Sequence, residues 1–191
     1  MKKALIWIIL GLVVIWGISA YNGLVTGRES VNKAWGNVET QYQRRSDLIP
    51  NLVSTVKGAA DFEKSTLQAV TDARARATSI QVDPDKLTPE KLQEFQQAQS
   101  ALSSSIGRLL AVAENYPQLK SIERFGDLQA QLEGTENRIN EARRQFNEAA
   151  QSYNISIARF PRNIFAGLFG FKAKPYFESD KGAEKAPEVK F

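Results

Sequence analysis

The chain has 191 residues, 25 of them basic and 21 acidic, with 42% hydrophobic residues and neither cysteine nor histidine. The two absences exclude thiolate and imidazole metal sites, cysteine nucleophiles, haem held by histidine and the most common proton shuttle near neutral pH. The net charge is +4; setting aside Lys2 and Lys3 leaves 23 basic residues against 21 acidic ones, a balance that does not attract nucleic acid.

The first predicted element spans a membrane. Ala4–Ala20, ALIWIILGLVVIWGISA, carries no charge, and Ser19 is its one polar side chain. A helix of that length measures about 25 Å, and continuing it through Val25 passes the roughly 30 Å of a bilayer's hydrocarbon core. Trp7 and Trp16 are placed to settle toward the interfaces. Residues 1–21 are therefore read as a single-pass anchor. The alternative is a cleaved signal peptide, with Lys2-Lys3 as its basic start and Ser19-Ala20 near the cut. Ile18 fits poorly at the minus-three position, and the uncleaved anchor is favoured. Lys2 and Lys3 weigh against Arg28, Lys33, Arg44 and Arg45 on the other flank. The short tail favours a cytoplasmic amino terminus, with the bundle outside.

Residues 22–163 read as a helical bundle. Val31, Trp35, Val38, Tyr42, Ile49, Leu52 and Val56 recur mostly at spacings of 3, 4 and 7, one stripe on one helix. Gly23–Gly27 is a candidate flexible joint. Pro50 removes a backbone N–H and crowds the carbonyl of Ser46, so the helix is expected to bend or break near Asp47–Pro50. The stripe resumes at once, which predicts a kinked helix over about 22–80. Gln81–Leu87 reads as a loop. Thr88-Pro89-Glu90 then restarts a helix with an N-cap, a proline at the first helical position and a carboxylate near the dipole. That helix carries Leu92, Phe95, Gln99, Leu102, Ile106, Leu109 and Ala113, with Gln99 its one polar entry, and ends at Tyr116-Pro117. The last helix holds Phe125, Leu128, Leu132, Thr135, Ile139, Ala142, Phe146, Ala149, Tyr153 and Ile157 in a coiled-coil rhythm, closed by Pro161. The fold class is all-α: a transmembrane helix followed by an antiparallel up-down bundle of three long helices, the first kinked at Pro50. A reversal at Asp47–Pro50 would raise the count to four.

Beyond the bundle, residues 164–175 begin with the apolar segment Ile164–Phe171, IFAGLFGF, followed by Lys172 and Lys174. Two readings are open: the segment caps the bundle or meets another copy, which is favoured, or it touches lipid with the lysines at headgroups. Residues 176–191 are charged, small and proline-bearing, and are expected to be a disordered tail.

Two clusters carry possible function. Arg44-Arg45 with Asp47 beside Pro50 could form a notch for a ligand or partner; the plainer reading, which is favoured, is a solvated face with an Arg44–Asp47 pair. Gln131, Glu133, Glu136, Asn137 and Arg138 fall within about two turns, with Thr135 on the stripe, where a polar group would fix register or partner. Neither cluster has a nucleophile–base pair or a phosphate loop. No catalytic, cofactor or metal residues are assigned, and the chain is read as not an enzyme.

With these residues laid out, the chain resembles the LemA family. The matching stretches are Tyr21-Asn22 with Leu24-Val25, Ala34-Trp35, RRSDLIPNLVSTVKG at Arg44–Gly58, Phe125 with Asp127–Ile139, Ala142–Arg144 with Asn147, and Phe160-Pro161 before Phe169–Phe171. The resemblance covers most of residues 21–171. It implies a bacterial helical domain behind one N-terminal membrane helix, with no established enzymatic activity. It also implies an extracytoplasmic amino terminus, opposite to the orientation read from Lys2-Lys3. The expected function is a scaffold or adaptor at the bacterial inner membrane, working through protein contacts or homo-oligomers and without nucleic acid or cofactor. The alternative is an envelope sensor that binds a small ligand or partner and signals through the kink.

Overall fold

A computed structural model of the chain describes residues 2–58 and 62–178. Among the described residues the elements are α1 (Lys2–Lys57), α2 (Lys64–Ser79), a 3-10 turn (Pro84–Lys86), α3 (Pro89–Ala113), α4 (Pro117–Lys120), α5 (Glu123–Ala158) and α6 (Arg162–Leu168), with no strand. The all-α bundle behind an apolar helix is therefore the observed fold.

Its helix count is the higher of the two expected. Arg74 of α2 meets Ser46, Arg45 meets Gln99 of α3, and Trp35 meets Phe146 of α5, so the four helices run alternately down and up. The chain reverses between the end of α1 at Lys57 and the start of α2 at Lys64, and not at Asp47–Pro50. α1 carries Pro50 inside an unbroken helix and stops at Lys57, just before a glycine. The expected single helix over about 22–80 is thus two antiparallel ones. The joint expected at Gly23–Gly27 is absent as well: α1 passes through both glycines. Gly27 serves packing instead, because a Cβ there would come within 3.2 Å of the Tyr153 ring.

Capping follows the residues. Thr88 Oγ1 accepts from the Lys91 N–H at 3.3 Å with Pro89 at the first position, and Asp83 Oδ1 accepts from the Asp85 N–H at 3.0 Å. The seven predicted stripe residues of α3 are all buried. On α5 the stripe shifts by one residue near its end, so Ala150 is buried where Ala149 was expected. A helix turns every 3.6 residues rather than 3.5, and the seam drifts by that difference.

The core has two parts. Away from the apolar end it is mainly aliphatic, built from Ile49, Leu52, Val56, Val70, Leu102, Leu109 and Leu128 with Phe62 and Phe125. Toward the apolar end it is aromatic: Trp35 lies 5.3 Å from Phe95, 5.5 Å from Phe146 and 6.0 Å from Phe177. α2 is the reason. Its 16 residues span about 24 Å, enough to cover only the far part of α1. Beyond its end two straps outside the α-helices complete the bundle. One is Ile80–Thr88, tied to α1 by Asn32 Nδ2 donating to Asp85 Oδ1 at 3.1 Å. The other is residues 171–178, extended along α5, where Asn154 and Asn147 bond the backbone of Lys174 and Phe177. The expected disorder from Tyr176 onward therefore does not reach Tyr176–Glu178, because Phe177 is a core residue. The rest of that expected tail, 179–191, lies outside the described residues.

Candidate functional site

Between the two cores the bundle is crossed by a polar layer. The stripe of α1 runs Val31, Trp35, Val38, Tyr42, then Ile49, Leu52, Val56, and the register position left open between Tyr42 and Ile49 is Arg45. Gln99 occupies the facing position of α3 and Thr135 that of α5, both buried. Each helix breaks its apolar pattern at the same level.

Arg45 is 2% exposed and bonds through its two terminal nitrogens, while its buried Nε has no hydrogen-bond partner. Nη2 donates to Gln99 Oε1 at 2.8 Å and to the Gln99 carbonyl at 3.1 Å. Nη1 donates to Glu136 Oε2 at 2.9 Å and to Ser103 Oγ at 2.5 Å, and the guanidinium lies 5.1 Å from the Tyr42 ring centre. Gln99 passes the connection on, its Nε2 donating to the Ala77 carbonyl near the end of α2 at 3.3 Å. Thr135 Oγ1 turns back to the Gln131 carbonyl at 2.7 Å. The layer thus links all four long helices. A planar guanidinium with fixed donors suits this, since every partner must arrive at one register.

Pro50 has a partner of the same kind. Its missing N–H would leave the Ser46 carbonyl without the usual helical donor, and Arg74 Nε of α2 donates to that oxygen at 2.9 Å. The proline's lost hydrogen bond is thereby replaced from a neighbouring helix, and α1 continues.

The other singled-out residues separate. Arg44 is exposed, and Asp47 accepts from Gln43 Nε2 at 2.7 Å in place of the expected Arg44 pair. Glu133 accepts from Gln129 Nε2 at 3.3 Å on the surface, and Asn137 and Arg138 face solvent. The notch therefore contributes Arg45 and the α5 cluster Glu136 to one ion pair, whose arginine is buried and whose glutamate is half-exposed at the edge of the bundle. Cavities of about 140 and 270 Å³ flank that pair, the first lined by Tyr42, Ser103 and Arg143, the second by Ile106, Leu110 and Leu132. Among the described residues no three acidic side chains converge where they could hold a metal ion.

Nearer the apolar end, Lys174 is buried with Nζ donating to the Pro84 carbonyl, which joins the two straps. Burial lowers the pKa of its ammonium, with Asp85 pulling the other way, and burial raises that of the Tyr153 phenol. Residues 164–171 lie against α1 itself: Phe165 meets Trp16 at 5.3 Å, and Tyr21 meets Phe169 at 5.1 Å and Phe171 at 5.7 Å. α1 is the one helix among the described residues long and apolar enough to cross a membrane.

Residues 34–191 match the model of the LemA family. The chain belongs to the LemA family. It is 30% identical over 186 residues to magnetosome protein MamQ 2 of Paramagnetospirillum magneticum, covering 88% of this chain and 68% of that protein. Magnetosome protein MamQ of Magnetospirillum gryphiswaldense is 28% identical over the same shares. Protein LemA of Metamycoplasma hominis is 26% identical over 145 residues, 76% of this chain and 63% of that protein. The matched region contains Arg45, Gln99, Glu136 and Phe177, so the polar layer and the strap both lie within the family domain.

Arg45 was missed as a core residue because its charge drew it into a surface reading. The signal was present in the spacing: Tyr42 and Ile49 are seven apart, and a 3-4 rhythm needs an inward residue between them.

Proposed function

We propose that this LemA-family protein is a membrane-anchored scaffold or adaptor at the bacterial inner membrane, whose bundle is held rigidly at the bilayer by the helix that spans it. The observation that carries this reading is the continuity of α1. One helix of 56 residues, about 84 Å long, supplies both the exposed apolar stretch from Ile6 to Ile18 and the seam of the core from Leu24 to Val56. A span so joined transmits the position of the bilayer to the bundle without a hinge. The sensor alternative relied on a hinge at Pro50, and the Arg74 bond to the Ser46 carbonyl disfavours it.

The working surface is polar. From residue 22 to residue 154 no large apolar side chain among the described residues is exposed. Contacts with partner proteins or with copies of itself would therefore use charged and amide side chains. For orientation, Lys2 and Lys3 favour a cytoplasmic tail, whereas the fold gathers Arg159, Arg162 and Lys172 near the other end of the span and favours the reverse.

The reading is tested in cells. The full chain is expected to stay with membranes through alkaline washing, and a chain lacking residues 1–21 to be released. Release of the full chain, or recovery of a form cut after Ala20, would overturn it. Labelling of Lys190→Cys by an impermeant maleimide before lysis places the bundle outside, and labelling only after lysis places it in the cytoplasm. Crosslinking in intact cells followed by mass spectrometry then identifies the partners.

A further inference from the structure

We propose that α6 and its flanks, residues 160–172, are a second membrane contact, embedded in the leaflet on the bundle's side at the depth where α1 enters the bilayer. The inference rests on α1 being a span, and three observations carry it further.

The first is where apolar surface is left uncovered. Every exposed large apolar side chain among the described residues lies either on α1 between Ile6 and Tyr21 or between Ile155 and Tyr176. The molecule has one greasy end, and two separate parts of the chain build it.

The second is the direction in which α6 faces. Its inner side is Ala166 and Phe165, set on α1. Ile164 and Leu168, four residues apart on the helix, form an outward stripe with exposures of 60% and 75%, and Phe160, just before the helix, is 80% exposed. A segment capping a water-exposed bundle would turn these side chains inward. Here they point away from the protein, as they would toward acyl chains. The depth is set by Phe165, which packs edge-on against Trp16 and lies 3.1 Å from where a Cβ on Gly17 would be. Trp16 and Gly17 lie within the uncharged run Ala4–Ala20, so a bilayer that surrounds the run also reaches the outward stripe.

The third is charge. Between Glu148 and Glu178 the chain contains no acidic residue, while Arg159, Arg162 and Lys172 are all exposed beside α6. These three basic side chains bracket the apolar wedge and are complementary to anionic headgroups, while Asp85, which shares a cavity with Phe169–Lys172, is engaged by Arg28 and Asn32. Together these features make α6 an interfacial helix that fixes the depth and the rotation of the bundle, which a lone span leaves free.

The absence of cysteine makes single-site labelling clean. The full chain carrying Leu168→Cys is labelled with the fluorophore NBD and reconstituted in vesicles of phosphatidylethanolamine and phosphatidylglycerol. Ile9→Cys reports on the span, and Asn140→Cys on the bundle surface. The expected result is a blue-shifted emission at 168, with several-fold stronger quenching by lipids spin-labelled high on the acyl chain than at 140, and with protection from aqueous iodide. If 168 is as open to iodide as 140 while 9 is quenched by lipid, α6 sits in water and the proposal fails with the anchor intact. If 168 is shielded from iodide yet untouched by lipid quenchers, a protein surface covers it and the proposal fails. If 9 is itself open to iodide, the span reading fails and takes the proposal with it.

Discussion

The far half of the bundle and the half near the apolar end solve the same packing problem differently. In the far half four helices surround a mainly aliphatic core, closed at its end by Phe62 and by the short α4 with its flanks. In the near half α1, α3 and α5 must close without α2, and the gap is filled by the two straps and by large rings: Trp35, Tyr42, Phe95, Phe146 and Phe177. Aromatic side chains fill wide, irregular spaces that leucine would leave open. The polar layer of Arg45, Gln99 and Glu136 stands where one solution gives way to the other, near the end of α2. A short helix in a long bundle thus accounts for both the chemistry of the core and the place of its buried arginine.

That contrast can be broken most strongly in the aromatic half. Trp35→Ala removes a fully buried ring that touches three others, and a loss of about 3–5 kcal/mol is expected by denaturant unfolding. Hydrogen exchange should rise first in the straps and in α1 around residues 31–42, while α2 keeps its protection.

Next comes the layer between the halves. Arg45→Ala leaves Gln99 and Ser103 without their donor and is expected to cost about 3 kcal/mol. Arg45→Met, which keeps the bulk, should cost much less and can even stabilise, while weakening the single register of the four helices. A broadened amide spectrum for Arg45→Met at unchanged midpoint would confirm that the layer specifies structure more than it stabilises it.

A smaller effect tests how α1 tolerates its proline. Arg74→Leu is expected to cost about 1–2 kcal/mol in the native background, because the Ser46 carbonyl loses its donor. In a Pro50→Ala background the helix supplies its own N–H, and the same substitution should cost almost nothing. A double-mutant cycle with no coupling would show that Arg74 does not compensate for Pro50.

The smallest effect lies on the surface. Hydrogen bonds from Arg144 and Gln145 hold the Glu141 carboxyl at about 2, well below its ordinary 4.5. A lowered carboxylate pKa gives stability that is full above the unfolded value and fades as pH falls toward the folded one. Glu141→Gln should therefore flatten the stability profile only between about pH 4.5 and pH 2, and leave neutral pH nearly unchanged.

Much of this was legible in the sequence. The stripes of α3 and α5, the Thr88-Pro89 start, the 81–87 loop and the apolar N-terminal run all follow from period and capping, which are local signals. Three things were not. The reversal between Lys57 and Lys64 was hidden because apolar residues continue on both sides of it at helical spacing, and a hairpin between two such helices leaves the period undisturbed. How α1 absorbs Pro50 is the second: the resumed stripe predicts that the helix continues, but the bond from Arg74, 24 residues further along, to the Ser46 carbonyl is contained in no local rule. Phe177 looked like part of a charged tail because its burial is decided by the gap α2 leaves, a consequence of relative helix lengths. Gln99 and Thr135 were visible as polar entries in apolar stripes. Arg45 completes the set, and only the register of α1 reveals it.

The most direct test of a single helix joining bilayer to bundle is a distance across Gly23–Gly27. Spin labels at Asn22→Cys and Arg44→Cys, both exposed, are 22 residues apart on nearly one face of α1. An unbroken helix in reconstituted full-length protein predicts one narrow distribution near about 33 Å. A broad distribution, or one centred well below that, would mean a joint between span and bundle and would contradict the rigid attachment.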